Sequence, residues 1–160
     1  MIIVDRLLTH PTYLHALDAI ERKEETRRFC RHGLDHFLDV ARISWIICLE
    51  HGRDFDKETV YLAALLHDIG RSQGDAHHDA ASVAMARTLL ADCGADAACI
   101  RAVCDAIAVH RRKDDSIAPG TASLGDILAH ADKLSRPCFR CAAAADCYWP
   151  ATVKNATIYY

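Results

Sequence analysis

At 160 residues, with 51% of them hydrophobic and only seven glycines and four prolines, the chain can build one domain with a sizeable core and does not have a disordered composition. A net charge of −3 gives no electrostatic reason to expect nucleic acid as a partner, so a phosphate-bearing ligand would need a local cation, most simply a metal. No run of about 18 apolar residues is present to span a membrane. The opening MIIVDRLLTHP is interrupted by Asp5 and Arg6 and lacks the apolar core of a secretory signal. A cytoplasmic setting is therefore expected, with the eight cysteines as free thiols or metal ligands.

Apolar residues recur at helical steps almost throughout, which predicts an all-α, compact single-domain bundle of about six or seven helices. A short apolar segment over 2–8 stops near Pro11. A second helix is expected over 13–29, with the charged stretch 21–28 as its exposed face. A third covers 34–50: Leu34, Phe37, Leu38, Ala41, Trp45 and Leu49 form its stripe, and Gly52 ends it. Asp56 suits the N-cap of a fourth, which carries Leu62, Leu65 and Leu66 to His67. A polar loop over 70–76 leads to a fifth helix, 78–93, closed by Gly94. The sixth, 97–110, turns Ile100, Val103, Ile107 and Ala108 inward. A charged loop over 111–120 contains Pro119, and a seventh helix over 122–134 ends before Pro137. The domain is expected to occupy 1–137. The remainder, 138–160, is a cysteine-containing tail packed on the same domain, with 152–160 a candidate for extended chain.

The dipeptide His67-Asp68 is the most informative feature. A buried helix that ends in an imidazole and a carboxylate places polar groups where they cost several kcal/mol unless paired or coordinated. Partners of metal-ligand type precede and follow it: His36, then His78, His110 and Asp132. Each long gap, 36 to 67, 78 to 110 and 110 to 132, is about one helix plus a connection, so antiparallel neighbours could gather these side chains. Imidazole with carboxylate suits Mn, Fe, Co, Ni or Zn better than Ca. The absence of thiolate from this set argues against a closed structural zinc site.

The ordered set His36, His67-Asp68 and Asp132, in the contexts HFLDVARIS, LAALLHDIGRS and ILAHADKLSR, resembles the HD-domain superfamily of metal-dependent phosphohydrolases over residues 30–136. The resemblance implies a helical metal-binding domain with His36, His67, Asp68 and Asp132 as ligands. HDAASVAMA from His78, and His110 after AIAV, resemble the segments that add a second ion in dinuclear members, with Asp68 as the bridge. Arg111 follows His110 where some of those members carry another histidine, which leaves one ion or two open. His32 and His36 are four apart on one helical face. His36, with Val40 beyond it, matches the opening motif, and His32 is expected to reach the pocket and touch substrate.

The implied activity is hydrolysis of a small phosphorylated molecule, nucleotides first among them, with metal-activated water as nucleophile. His67 and Asp68 are the expected catalytic pair, Asp68 orienting the nucleophile. Arg71, Lys133 and Arg136 are the candidate phosphate-binding cations, against the simpler reading of solvated surface charges. The same ligands would serve a di-iron oxygenase, and a non-catalytic nucleotide or metal sensor is the third reading. Among the other histidines, His77 is expected to be solvated or to support the site, His130 to face away, and His10, His15 and His51 to lie on the surface.

Cys138, Cys141 and Cys147 follow a C-x2-C-x5-C spacing that can hold zinc or an iron–sulfur cluster, with Cys30 as the candidate fourth ligand. Cysteines equally fill cores as small hydrophobes, which is the reading for Cys93, Cys99 and Cys104. Trp149, Pro150, Tyr159 and Tyr160 are candidates to cover a homodimer interface or to fold back on the core.

Overall fold

The computed structural model describes residues 1–111 and 122–160. Among them the chain is all-helical, with seven α-helices: α1 (Ile2–Leu8), α2 (Pro11–Glu24), α3 (Leu34–Glu50), α4 (Lys57–Leu66), α5 (His78–Asp92), α6 (Ala97–Val109) and α7 (Leu124–Leu134). The charged loop expected over 111–120 lies, Arg111 apart, outside the described residues.

Helix α4 is the centre of the bundle. Asp56 caps it by accepting the Thr59 N–H at 2.8 Å, and every residue from Leu62 to Leu66 is fully buried. A helix apolar on all sides is stable only when neighbours surround it. Helices α3 and α6 pack on it, α7 packs on α3 and α6, and α5 lies against α6. The Tyr13 hydroxyl donates to the Leu65 carbonyl at 3.1 Å, which ties α2 to the end of the same helix.

After Leu66 the chain tightens into a 3-10 turn, Ile69–Ser72. Gly70 permits the next close approach. A Cβ there would stand 2.3 Å from the His78 carbonyl oxygen and 2.4 Å from the Ser82 nitrogen, and the Gly70 N–H donates to Ser82 Oγ at 2.9 Å. The turn therefore lies directly on the start of α5. Gly125 plays the matching part between α7 and α6, where a Cβ would meet Val109 at 2.1 Å.

Several expectations need correction. Helix α2 ends at Glu24, not 29, because the Glu24 carboxylate is buried against His32 and the chain turns to deliver it. Ala108 is exposed, and Leu49 is 63% exposed although it continues the α3 stripe. The tail, expected to be irregular, forms two short 3-10 turns, Cys138–Arg140 and Ala151–Val153, the second of which takes in the first residues of the stretch expected to be extended. Its anchor is Asn155, whose amide donates to the carbonyls of Lys133, Leu134 and Arg136 at 2.8–3.1 Å. Trp149 folds back: it stacks on Tyr148 and lies under the Arg136 guanidinium.

Candidate metal centre

Five imidazoles and two carboxylates meet where the ends of α4 and α6, the starts of α3 and α5 and the body of α7 come together. Asp68 is in the middle. Its Oδ1 faces His78 Nε2 at 3.1 Å and His110 Nε2 at 3.5 Å. Its Oδ2 faces His32 Nε2 at 3.7 Å and His67 Nε2 at 3.9 Å. Asp132 Oδ1 stands 3.3 Å from His36 Nε2 and 4.0 Å from His67 Nε2. Three sets have ligand atoms mutually within 4.8 Å: His36, His67 and Asp132; Asp68, His78 and His110; His32, His36 and Asp68.

Each ring is oriented by its far nitrogen. Nδ1 of His67, His78 and His110 donates to the carbonyls of Ala64, Asp75 and Ile107, at 2.7, 2.9 and 2.6 Å. A carbonyl can only accept, so the proton is on Nδ1 and the Nε2 lone pair faces inward. Ser135 fixes His36 in the same way: its hydroxyl donates to the Asp132 carbonyl at 2.7 Å and so accepts from His36 Nδ1 at 3.2 Å. This is the outer support that metal-binding histidines use.

The inner atoms are left without partners. His36 Nε2, His67 Nε2 and Asp68 Oδ1 are buried and make no hydrogen bond. The short His–Asp separations are close approaches without hydrogen-bond direction. Orphaned buried polar atoms are rare in native proteins, and three lining one centre, two beside Asp132 and one beside His78 and His110, fit bound cations. Electrostatics agree. Burial drives His67 down to a pKa of about 4, so it is a neutral ligand. Burial works to raise the Asp68 carboxyl, yet His67, His110, His78 and Arg71 hold it well below its ordinary range. Asp132, whose side chain is 35% exposed at the edge of the centre, is also lowered, with His36 and His67 outweighing its desolvation. Burial opposes charge on His110, but the facing Asp68 raises its pKa.

Glu24 and Ser135 were not anticipated from sequence. Glu24 is buried; its carboxylate accepts the His32 backbone N–H at 2.6 Å and meets His32 Nδ1 at 2.7 Å. The signal was present in α2, where Tyr13, Leu17 and Ile20 form a buried stripe and Glu24 is its next position. The charged run around it hid that register.

The candidate phosphate-binding cations are distributed differently. Arg71 donates Nε to Asp68 Oδ2 at 2.6 Å and Nη1 to Asp75 at 3.1 Å. Arg136 donates to the Lys133 carbonyl and turns toward the tail. His77 is exposed and adopts a left-handed backbone (φ 56°) just before His78. His130 lies beside His51, away from the centre. Cys93 and Cys104 are buried, and Cys99 accepts from Thr59 Oγ1 at 3.8 Å.

Comparison with known proteins fits this arrangement. A curated relative from Clostridium beijerinckii (strain ATCC 51743 / NCIMB 8052), described as an uncharacterized protein, is 34% identical over 157 residues, 96% of each chain. No solved structure matches. The family model described as HD domain matches residues 33–136, a span that contains His36, His67, Asp68, His78, His110 and Asp132. The chain belongs to the HD domain family.

Proposed function

We propose that this protein is a metal-dependent phosphohydrolase acting on a small phosphorylated molecule, with nucleotides as the leading substrate class. The observation that carries the reading is the two-sided use of Asp68. One oxygen faces His78 and His110 and the other faces His67, across from the His36–Asp132 pair. A carboxylate so placed could serve two ions, one that His36, His67 and Asp132 would hold and another that His78 and His110 would hold.

Divalent ions bound there would make water a nucleophile near neutral pH and neutralise charge on the phosphoryl oxygens. The chain's own residues supply the rest. Asp68 is kept ionised at pH 7 and fixed by Arg71, whose guanidinium prevents it from rotating away. His32, held by Glu24 through both ring and backbone, directs Nε2 to within 3.7 Å of Asp68 Oδ2. It is placed to hold a proton beside the reacting group and to pass it to a leaving oxygen. We assign Arg71 to orienting Asp68 rather than to gripping phosphate, because two carboxylates already engage it.

Phosphate release should be measured over nucleoside mono-, di- and triphosphates and dinucleotides, with Mn, Co, Ni, Fe and Mg supplied in turn. Metal-dependent release, lost in folded His67→Ala and Asp68→Ala variants, is the expected result. Oxygen consumption by the iron form with no phosphate released would replace this reading with an oxygenase. Tight nucleotide binding without turnover would replace it with a sensor.

A further inference from the structure

The four cysteines outside the helical core border one cavity. Cys30, just before α3, and Cys138, Cys141 and Cys147 of the tail line a space of about 310 Å³ that also touches His36 and Ser135. The two chain segments are far apart in sequence, and none of the cysteines is in a disulfide. Cys138 and Cys141 share one turn, in which the Cys141 N–H donates to the Cys138 carbonyl at 3.2 Å.

The charge around the cavity is unusual. Arg31, Arg136 and Lys154 border it. Arg31 donates only to the carbonyls of Arg27 and Glu25. Arg136 donates to the Lys133 carbonyl and rests on Trp149. Lys154 donates to the carbonyls of Ala144 and Cys147. Among the described residues none of the three forms an ion pair. Asp35 and Asp39 also border the space, but Asp39 already faces Arg42 at 3.5 Å. Three cations thus surround four thiols with no anion committed to them.

The tail is held by polar contacts, through Asn155 and an Arg28–Asp146 ion pair, more than by burial. From 138 to 160 it buries only Ala143 and Asn155. Apolar burial on that scale does not order a segment of this length, and small irregular units are commonly stapled by disulfides or metal.

We propose that Cys30, Cys138, Cys141 and Cys147 form a second metal centre, separate from Asp68, that holds one zinc ion through four thiolates and fastens the tail to the start of α3. Four thiolates around Zn²⁺ leave a net charge of about −2, which the three cations answer. The sulfurs border the cavity without meeting: the sets whose ligand atoms lie within 4.8 Å contain no cysteine. Zn–S bonds of about 2.3 Å would therefore draw the tail inward on binding.

The Asp68 cluster contains no sulfur, so cobalt distinguishes the two centres. Metal-free protein, kept reduced and oxygen-free, should be titrated with Co²⁺. One equivalent of thiolate-to-cobalt charge-transfer absorption is expected. It should persist in Asp68→Ala, vanish in the Cys138→Ser/Cys141→Ser double variant, and be displaced by Zn²⁺. Cys48, Cys93 and Cys104 are buried with or without metal, so the readout is the difference: four thiols that react in metal-free wild-type protein should resist a thiol reagent once zinc is bound and react again when a chelator is added. The wild-type readouts decide the matter even if the double variant fails to fold. Absence of the charge-transfer band in wild-type protein, a band that survives the double variant, or isolation with iron and inorganic sulfide in place of zinc would overturn the proposal.

Discussion

Asp68 shows how a single carboxylate becomes unavoidable once its surroundings are fixed. It is 3% exposed, and four imidazoles and a guanidinium converge on it. Removing it leaves those groups without their common partner, and Asp68→Ala should lower the metal bound outside the cysteine centre to less than one equivalent and reduce phosphate release by at least 10²-fold; metal analysis, less the equivalent held by the cysteines, beside the activity assay checks both. Ser135 acts at one remove. Ser135→Ala frees the His36 ring to adopt the other tautomer, and loss of such outer support typically weakens metal binding by about 10–100-fold, measurable by calorimetric titration. Acid sensitivity belongs to His67. Its folded pKa, about 4, lies below the ordinary 6.5, so the unfolded chain takes up the proton first. Its contribution is complete above pH 6.5 and is lost as pH falls toward 4, on the order of 3 kcal/mol in metal-free protein. Urea unfolding of the metal-free protein between pH 7 and 4 should show that decline, and His67→Gln should flatten it.

At the scale of elements, two tight crossings and one early helix end build the centre. Gly70 lets the turn after α4 lie on α5, which sets His78 beside Asp68. Gly70→Ala should cost about 1–3 kcal/mol, the usual range for overpacking. It should reduce the metal at the His/Asp centre from two equivalents toward one, because the His36, His67 and Asp132 set does not depend on that crossing. The end of α2 supplies the Glu24–His32 pair. Glu24→Gln keeps the shape but not the charge, so turnover should fall while metal content stays unchanged; steady-state kinetics and metal analysis on one preparation separate the two. Helices α3, α4, α5 and α6 were legible within a few residues, since periodicity, Asp56 and Gly94 act locally. The end of α2 was not, because it is decided by a bond from Glu24 to His32, eight positions away. Local pattern carries no record of that contact.

For the whole molecule, the order of ligand types along the chain was legible and their meeting point was not. His36, His67, Asp68, His78, His110 and Asp132 can be picked out from residue type and context. Their convergence depends on α4 being enclosed by α3, α6 and α7, a consequence of burying its apolar surface on every side. The choice between His32 and His36 also needed three dimensions. Both rings reach the centre, but Glu24 claims Nδ1 of one and Ser135 claims Nδ1 of the other, while Asp132 faces His36. The contacts that hold the tail were not legible for a related reason: Asn155 and the Trp149–Arg136 stack act across long sequence separations with no periodicity.

Anomalous diffraction from crystals of the manganese-loaded protein tests the central claim most directly. Two ion peaks about 3.5–4 Å apart, with the Asp68 carboxylate between them and His78 and His110 on one side, are the predicted result. A single peak that leaves His78 and His110 uncoordinated, or ions bound away from Asp68, would contradict it.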